Sequence, residues 1–447
     1  MKKLVAVLLA TSVILSMAVG CSGKTGTTKK STRRETPTEG PLKDDDDNKP
    51  GDVKTVNRDN GKQAVFELST TGSGKTTMSE EELNQAYSEF IFELMKHCAE
   101  NANGENVLIS ADSVLFALEM AAAGADGETL NQMMSTLVPG ADNATAFQYA
   151  VNRMNSLQND SLKIANSVWL NEAKSQVVYD DYLDYVQHHF DATISVIPFG
   201  GSAADMINGW VDEKTEGRIK ELIKELSPND LMVLINAITF DGKWNEPYSE
   251  EQVVNEVFTA GNGQTKTTPF LSSSESVYFG TDDAVGFLKA YDDGKYAFMT
   301  ILPNDESVDI NEFVANMTAE DYWEFWNSRE VACQVQAMMP EFKSEYAMEL
   351  QSALSDMGMK DAFDEDNADF SNMSSTEVFI SKVIHKTYIE VDRAGTKAAA
   401  ATAVIMTESA CEDPGPVYRV VCDRPYAYAI VDQATGLPVF LGTVENV

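Results

Sequence analysis

The run at 231–240, Leu-Met-Val-Leu-Ile-Asn-Ala-Ile-Thr-Phe, is rich in branched side chains and shows no apolar–polar alternation. A run of that kind reads as a buried strand. The runs at 162–170, 296–302 and 378–380 have the same character. Helical patterns are mixed among them. Ser79 and Glu82 make a capping box at a helix start. Leu83, Tyr87, Phe90, Ile91, Leu94 and Cys98 then fall on one helical face, which makes Cys98 a small buried hydrophobe. Residues 113–123 read as a nearly all-apolar, buried helix. The C-terminal stretches 417–421, 426–431 and 439–444 read as short strands, the last two joined by a turn at Asp432 to Gly436. No fixed-period repeat is visible. The pattern is α+β, with large sheets and a helix-rich first half.

The N-terminus has a different grammar. Lys2 and Lys3 precede an apolar stretch at 4–20 that ends in Ala18-Val19-Gly20-Cys21. The stretch is short for a spanning helix, and small residues before a Cys mark a processing site. It resembles a bacterial lipobox, with Ala18 where Leu is usual, so Cys21 is the expected lipidation residue and new N-terminus; plain secretion is the other reading. Two or three acyl chains would anchor the protein stably to a membrane, where one would not. Residues 22–78 are rich in Ser, Thr, Gly, Lys and Asp and read as a flexible tether, with Asp44 to Asp47 a solvated charge run and only 64–68 of strand character. The expected plan is a signal peptide at 1–20, a tether at 21–78 and one folded domain at 79–447, in an extracytoplasmic protein.

Composition narrows the chemistry. Seventy acidic against 34 basic side chains give a formal charge of -36. Such a surface repels phosphate backbones, so nucleic acid is not an expected partner. The remaining cysteines, Cys98, Cys333, Cys411 and Cys422, form no CxxC pair, and no HExxH or GxSxG motif occurs. No metal or cofactor is expected. His188 and His189 show no partner pattern and read as structural. Gly74-Lys75-Thr76 looks like the end of a P-loop, but Ser69 stands where the first Gly should be. A hydrolase reading fails for want of a nucleophile–base pattern.

Longer motifs carry more. Asn106-Val107-Leu108-Ile109-Ser110-Ala111-Asp112-Ser113, Ala165-Asn166-Ser167-Val168-Trp169, Ile207-Asn208-Gly209-Trp210-Val211 with Lys214 to Ile219, and Asn236-Ala237-Ile238-Thr239-Phe240 with Gly242-Lys243-Trp244 occur in that order. Leu302-Pro303, Met339-Pro340-Glu341-Phe342, Ser381-Lys382-Val383-Ile384-His385-Lys386, Asp423-Arg424-Pro425-Tyr426 and Leu441-Gly442 follow. Together they resemble, collinearly from about residue 80 to the C-terminus, the motifs of the serpin family of protease inhibitors.

The resemblance implies a large central mixed β-sheet with two smaller sheets, eight or nine helices and an exposed reactive loop. It also implies a monomeric suicide inhibitor with no turnover, which forms a covalent acyl complex with a target serine protease, or with a cysteine one. The loop should run from about Arg393 to Val417, with Gly395, Thr396, Lys397, Ala398, Ala399, Ala400, Ala401, Thr402 and Ala403 similar to the hinge of inhibitory members. On insertion Thr396, Ala398, Ala400, Thr402, Val404 and Met406 would share one face, where small or apolar side chains enter most easily. Counting from the hinge glycine places the cut between Ser409 and Ala410, within a window from Met406 to Cys411. The small residue there suits elastase-like or subtilisin-like targets, and Glu408 leaves a glutamate-cleaving protease as the minority option. Ser110, Ser113, Asn236 and His385 align with the family's shutter and Trp244 with its breach. Arg393 stands where inhibitory members usually carry Glu, Ala111 replaces a Pro, and 412–416 reads as extra loop. A Cys411–Cys422 bond is a hypothesis from proximity alone. The alternative within the family is a non-inhibitory carrier, chaperone or storage protein. Outside it, a surface adhesin or solute-binding lipoprotein would explain the leader and tether but none of the motifs.

Overall fold

A computed structural model describes residues 9–19, 54–55, 78–396 and 415–447; for 9–19 and 54–55 it describes the backbone alone. Nine α-helices occur among the described residues: α1 (Glu80–Glu100), α2 (Ala111–Ala122), α3 (Gly127–Leu137), α4 (Asn143–Leu157), α5 (Asp180–Phe190), α6 (Ala203–Lys214), α7 (Ile310–Asn316), α8 (Ala319–Asn327) and α9 (Gln351–Asp356). The capping box at the start of α1 is present, with Ser79 and Glu82 exchanging hydrogen bonds. Cys98 is fully buried on α1, and burial pushes its thiol up to about 12. Every residue of α2 is buried, as its apolar sequence requires.

The main sheet has seven strands in the order β13 (Phe342–Glu349), β14 (Val378–Val391), β1 (Leu9–Val19), β6 (Asp230–Phe240), β4 (Leu162–Asn171), β5 (Ala192–Ile197) and β2 (Lys54–Thr55). The two further sheets expected from the resemblance are joined as one hydrogen-bonded path: β16 (Val417–Val421), β12 (Glu330–Pro340), β9 (Thr265–Gly280), β10 (Ala284–Ala290), β11 (Tyr296–Pro303), β17 (Tyr426–Asp432), β18 (Pro438–Val444) and β3 (Leu108–Ile109), with β8 (Val253–Thr259) also on β9. The length of β9 makes the join, since its two ends serve different neighbours. A two-stranded patch pairs β7 (Gly242–Lys243) with β15 (Gly395–Thr396).

The unalternating run at 231–240 is β6, buried along its length. One face, through Leu234 and Ile238, joins the main core with α2 behind the sheet. The other, through Val233 and Ile235, joins a separate cluster under α6 with Trp169, Ile207, Val211 and Ile219. Ile384 of β14 packs against the same cluster, so the cluster reaches strands on both sides of β1. The strand read at 378–380 is far longer. In β14 the buried positions are Val378 and Ile380, then Val383, His385, Thr387 and Ile389. The alternation slips by one at a bulge near Lys382, where the register with β1 also shifts. That slip and two buried polar residues hide the strand from a period-two reading.

The largest departure from expectation is at the N-terminus. The apolar leader, read from the sequence as an export signal, supplies β1, antiparallel to β14 on one side and to β6 on the other. The segment 64–68 lies outside the described residues.

On α2 a buried acid has neither carboxyl oxygen hydrogen-bonded among the described residues. Both carboxyl oxygens of Glu119, on α2, are unpaired, and burial raises the group from its ordinary 4.5 to about 8. A raised acid keeps its proton in the fold while the unfolded chain gives it up. Stability therefore falls as pH rises from about 4.5 to about 8. Glu119→Leu is expected to raise the melting temperature at pH 8, with a gain that shrinks toward pH 5. An equal gain at both pH values would show that Glu119 is not protonated in the fold.

Candidate functional site: the β6–β14 slot and its hinge

Two strands, β6 and β14, flank the position that β1 fills. Across it, Asn236 of β6 and His385 of β14 stand at the same level, both opposite Val13. Both are fully buried and tied to the start of α2. The Ser110 N–H donates to His385 Nε2 at 3.2 Å, and the Ser110 side chain caps α2 by accepting from the Ser113 N–H at 3.3 Å. Ser113 Oγ donates to Asn236 Oδ1 at 2.6 Å. Asn236 Nδ2 donates to Asn166 Oδ1 at 2.8 Å, and Asn166 Nδ2 donates to the Phe190 carbonyl at 2.7 Å. The four residues Ser110, Ser113, Asn236 and His385 thus form one polar cluster behind the slot. Asn166 completes it. Sequence reasoning quoted Asn166 in its motif without giving it this place.

His385 accepts at Nε2, so the ring is neutral and its proton sits on Nδ1, and burial lowers the group from 6.5 to about 3. The unfolded chain takes up a proton below about 6.5 and the fold does not. Stability is therefore fully present above pH 6.5 and is lost as pH falls toward 3. His385→Gln is expected to flatten the stability profile of chemical denaturation between pH 6.5 and pH 4. An unchanged slope would show that His385 is not buried neutral.

At the top of the slot, a turn at 392–396 is pinned by several elements at once. The Trp244 N–H donates to the Ala394 carbonyl at 3.3 Å and its Nε1–H to the Asp392 carbonyl at 2.9 Å. The Tyr248 N–H donates to the Arg393 carbonyl at 2.9 Å, and the Ala394 N–H to Asp392 Oδ1 at 2.7 Å. Trp244 is buried, stacked on Tyr291 with centroids 4.7 Å apart, and Tyr291 Oη shares a hydrogen bond with Thr396 Oγ1 at 3.0 Å. Beneath, the buried Lys289 ammonium lies 4.4 Å from the Tyr248 ring centre and pairs with Glu275 at 2.9 Å. Gly395 has φ +143°, and a Cβ there would stand 2.4 Å from the Gly242 carbonyl oxygen. Only glycine fits both conditions.

Arg393, the departure at the hinge, has its own partners. Its N–H donates to Glu341 Oε1 at 3.2 Å and its guanidinium lies 3.7 Å from Glu250. Burial raises the Glu341 carboxyl, while the Arg393 N–H holds it down. Glu341, Asp392, Tyr248 and Tyr291 were not singled out from the sequence. The signal for Glu341 was its place in Met339-Pro340-Glu341-Phe342, next to the hinge only in space.

Gly395 and Thr396 are the described part of the hinge expected from the sequence. Ala398, Ala399, Ala400, Ala401, Thr402, Ser409 and Ala410, like Cys21, lie outside the described residues. Cys422 is a free, fully buried thiol; Cys411, its partner in the bond raised from the sequence, lies outside the described residues. Burial drives that thiol well up, which leaves it unreactive. His188 and His189 are helix residues with local contacts: His188 Nδ1 meets the Asp184 carbonyl, and His189 lies over Tyr185.

Comparison with known proteins gives this arrangement its family. The model of the serpins, serine protease inhibitors, matches residues 85–447. The chain belongs to the serpin family. It is similar to an uncharacterized serpin-like protein of Thermococcus kodakarensis, 33% identical over 81% of this chain and 85% of that one. Human serpin B8 is 32% identical over 82% of this chain and 100% of its own. Among solved structures, the thermophilic serpin tengpin in its native state superimposes with a TM-score of 0.73 at 33% identity, covering 84% of this serpin and 96% of tengpin. Tengpin in its latent state gives 0.71 at 34% identity.

Proposed function

We propose that this serpin inhibits serine endopeptidases by loop cleavage and insertion, with elastase-like or subtilisin-like proteases as targets, from an extracytoplasmic, lipid-anchored position. The reading rests on one observation. The main sheet takes a whole strand between β6 and β14, directly below a pinned hinge that leads into a run of small residues.

The steps follow from that geometry. The target's nucleophile attacks the loop near Ser409–Ala410 and forms an acyl bond, releasing the new amino terminus. The loop, no longer held at both ends, folds back at Gly395 and enters beside β14 as an antiparallel strand. The hinge contacts of Trp244 and Tyr248 are exchanged for ladder hydrogen bonds on two sides. The acyl-linked protease travels with the loop before water can release it. Small side chains at 398–402 lower the barrier to entry, since nothing bulky or charged on the inward face has to pass between packed strands.

Incubating the chain that begins at Cys21 with an elastase-type and a subtilisin-type protease is expected to give an adduct stable on a denaturing gel. Clean loop cleavage by every protease tried, without adduct, would overturn the inhibitory reading in favour of a carrier or storage role. Ala400→Glu puts a charge on the inward face and is expected to lower the adduct-to-cleaved ratio by about tenfold or more. An unchanged ratio would show that this face is not buried during trapping.

A further inference from the structure

We infer that Leu9–Val19 is an intramolecular occupant of the slot, which keeps the unprocessed chain from trapping a protease. The inference rests in part on the reading that the reactive loop inserts between β6 and β14. It adds that another segment of the same chain is seated there first.

The pairing is extensive. On one side, β1 runs in register with β14 from Ala10 opposite Tyr388 to Val19 opposite Val378, with one shift between Ser16 and Met17. On the other, it runs with β6 from Leu9 opposite Phe240 to Ala18 opposite Asp230, with one shift between Met17 and Ala18. Both edges of the slot are hydrogen-bonded along nearly the full length of β6. The direction matters as much as the length. A loop that turns back at 392–396 and enters beside β14 must run antiparallel to it, and β1 already runs that way. The register reaches within three residues of the end of β14 at Val391. While β1 is seated, the loop has no unpaired edge to add to.

The sequence of the segment suits the position. Leu-Ala-Thr-Ser-Val-Ile-Leu-Ser-Met-Ala-Val carries no charge, and its polar residues are small hydroxyls. A central strand between two layers tolerates little else. The level of Asn236 and His385 is occupied by Val13, so the leader crosses the polar cluster in mid-slot. Removal of the segment before Cys21 would free both edges and arm the molecule. A precursor that folds before processing would be stable and unable to trap a protease.

The test uses the full chain. Residues 1–447 with Cys21→Ala, which blocks lipobox processing, are compared with the same chain carrying Val13→Asp. A charge at the centre of the strand denies it the slot on either face. The parent is expected to melt several degrees higher and to be cleaved in its loop by a subtilisin-type protease without adduct. The Val13→Asp chain is expected to melt lower and to form the adduct. A synthetic peptide of sequence 9–19, added to the Val13→Asp chain, should restore the higher melting temperature and remove the adduct. Equal melting temperatures for the two chains, with no response to the peptide, would overturn the inference. Adduct formation by both chains alike would overturn it while leaving the inhibitory reading intact. Absence of adduct from both, with the melting difference and peptide response present, supports occupancy and counts against the inhibitory reading alone.

Discussion

Two central strands of the main sheet, β6 and β14, do not bond to each other. Each turns a row of backbone N–H and C=O groups toward a gap one strand wide, and buried groups of that kind must find partners. The rest of the molecule is arranged around this demand. α6 and the segment after it form an apolar cluster on one face, which takes in Val233 and Ile235 of β6 and has Ile384 of β14 packed against it. α2 stands behind the gap, with Ser110 and Ser113 reaching His385 and Asn236, one from each flanking strand. The hinge turn caps the top. A sheet so built has a reason to keep its two halves separable. The polar cluster joins each half to α2, not to the other half, so the strands can part without breaking their own bonds.

Magnitudes decide which way such a sheet moves once a strand is offered. The hinge is held by a handful of hydrogen bonds, each worth about 0.5–1.5 kcal/mol net. The pairing seen for β1 spans about ten residues on each of two edges. A complete ladder on both sides outweighs the clamp at the top several times over. On the proposed mechanism, loop entry is controlled by kinetics, through loop tethering and the cost of parting packed layers, and not by the relative strength of the end states. Trp244 and Tyr291 sit where that control is exerted, because Thr396 must leave Tyr291 before any later residue can follow.

Much of this was legible in the sequence, and the part that was not has physical causes. The run at 231–240 announced a buried strand, and the capping box announced α1, because both signals are local. The collinear motifs brought Ser110, Ser113, Asn236, His385 and Trp244 to one region, and the structure places the four polar residues in a single cluster with Trp244 at the hinge above. β14 was read only in its first three residues, since its bulge and its buried His385 and Thr387 break the alternation. Glu341 and Asn166 escaped because their roles depend on contacts across long stretches of chain. Glu341 meets Arg393 only through the turn at the top of the slot. Arg393, a departure within its motif, has carboxylates on two sides, so the substitution is met by its surroundings.

The leader exposes the deeper reason why a sequence read alone falls short here. An apolar, uncharged stretch with small hydroxyls satisfies two different physical demands. It suits an export pathway, and it equally suits the interior of a sheet covered on both faces. Nothing in residues 9–19 distinguishes the two, because the second demand is a property of β6 and β14, more than two hundred residues away. The loop segment after Gly395 meets the same demand by the same means, with small side chains and hydroxyls in place of larger apolar ones. Two segments of one chain are thus matched to a single position, and they differ in when they are available. On the readings proposed above, the leader is present from the start of synthesis and leaves by processing, whereas the loop becomes free only when it is cut. On those readings, order of release, set by covalent cleavage at two separate places, determines which strand the sheet contains.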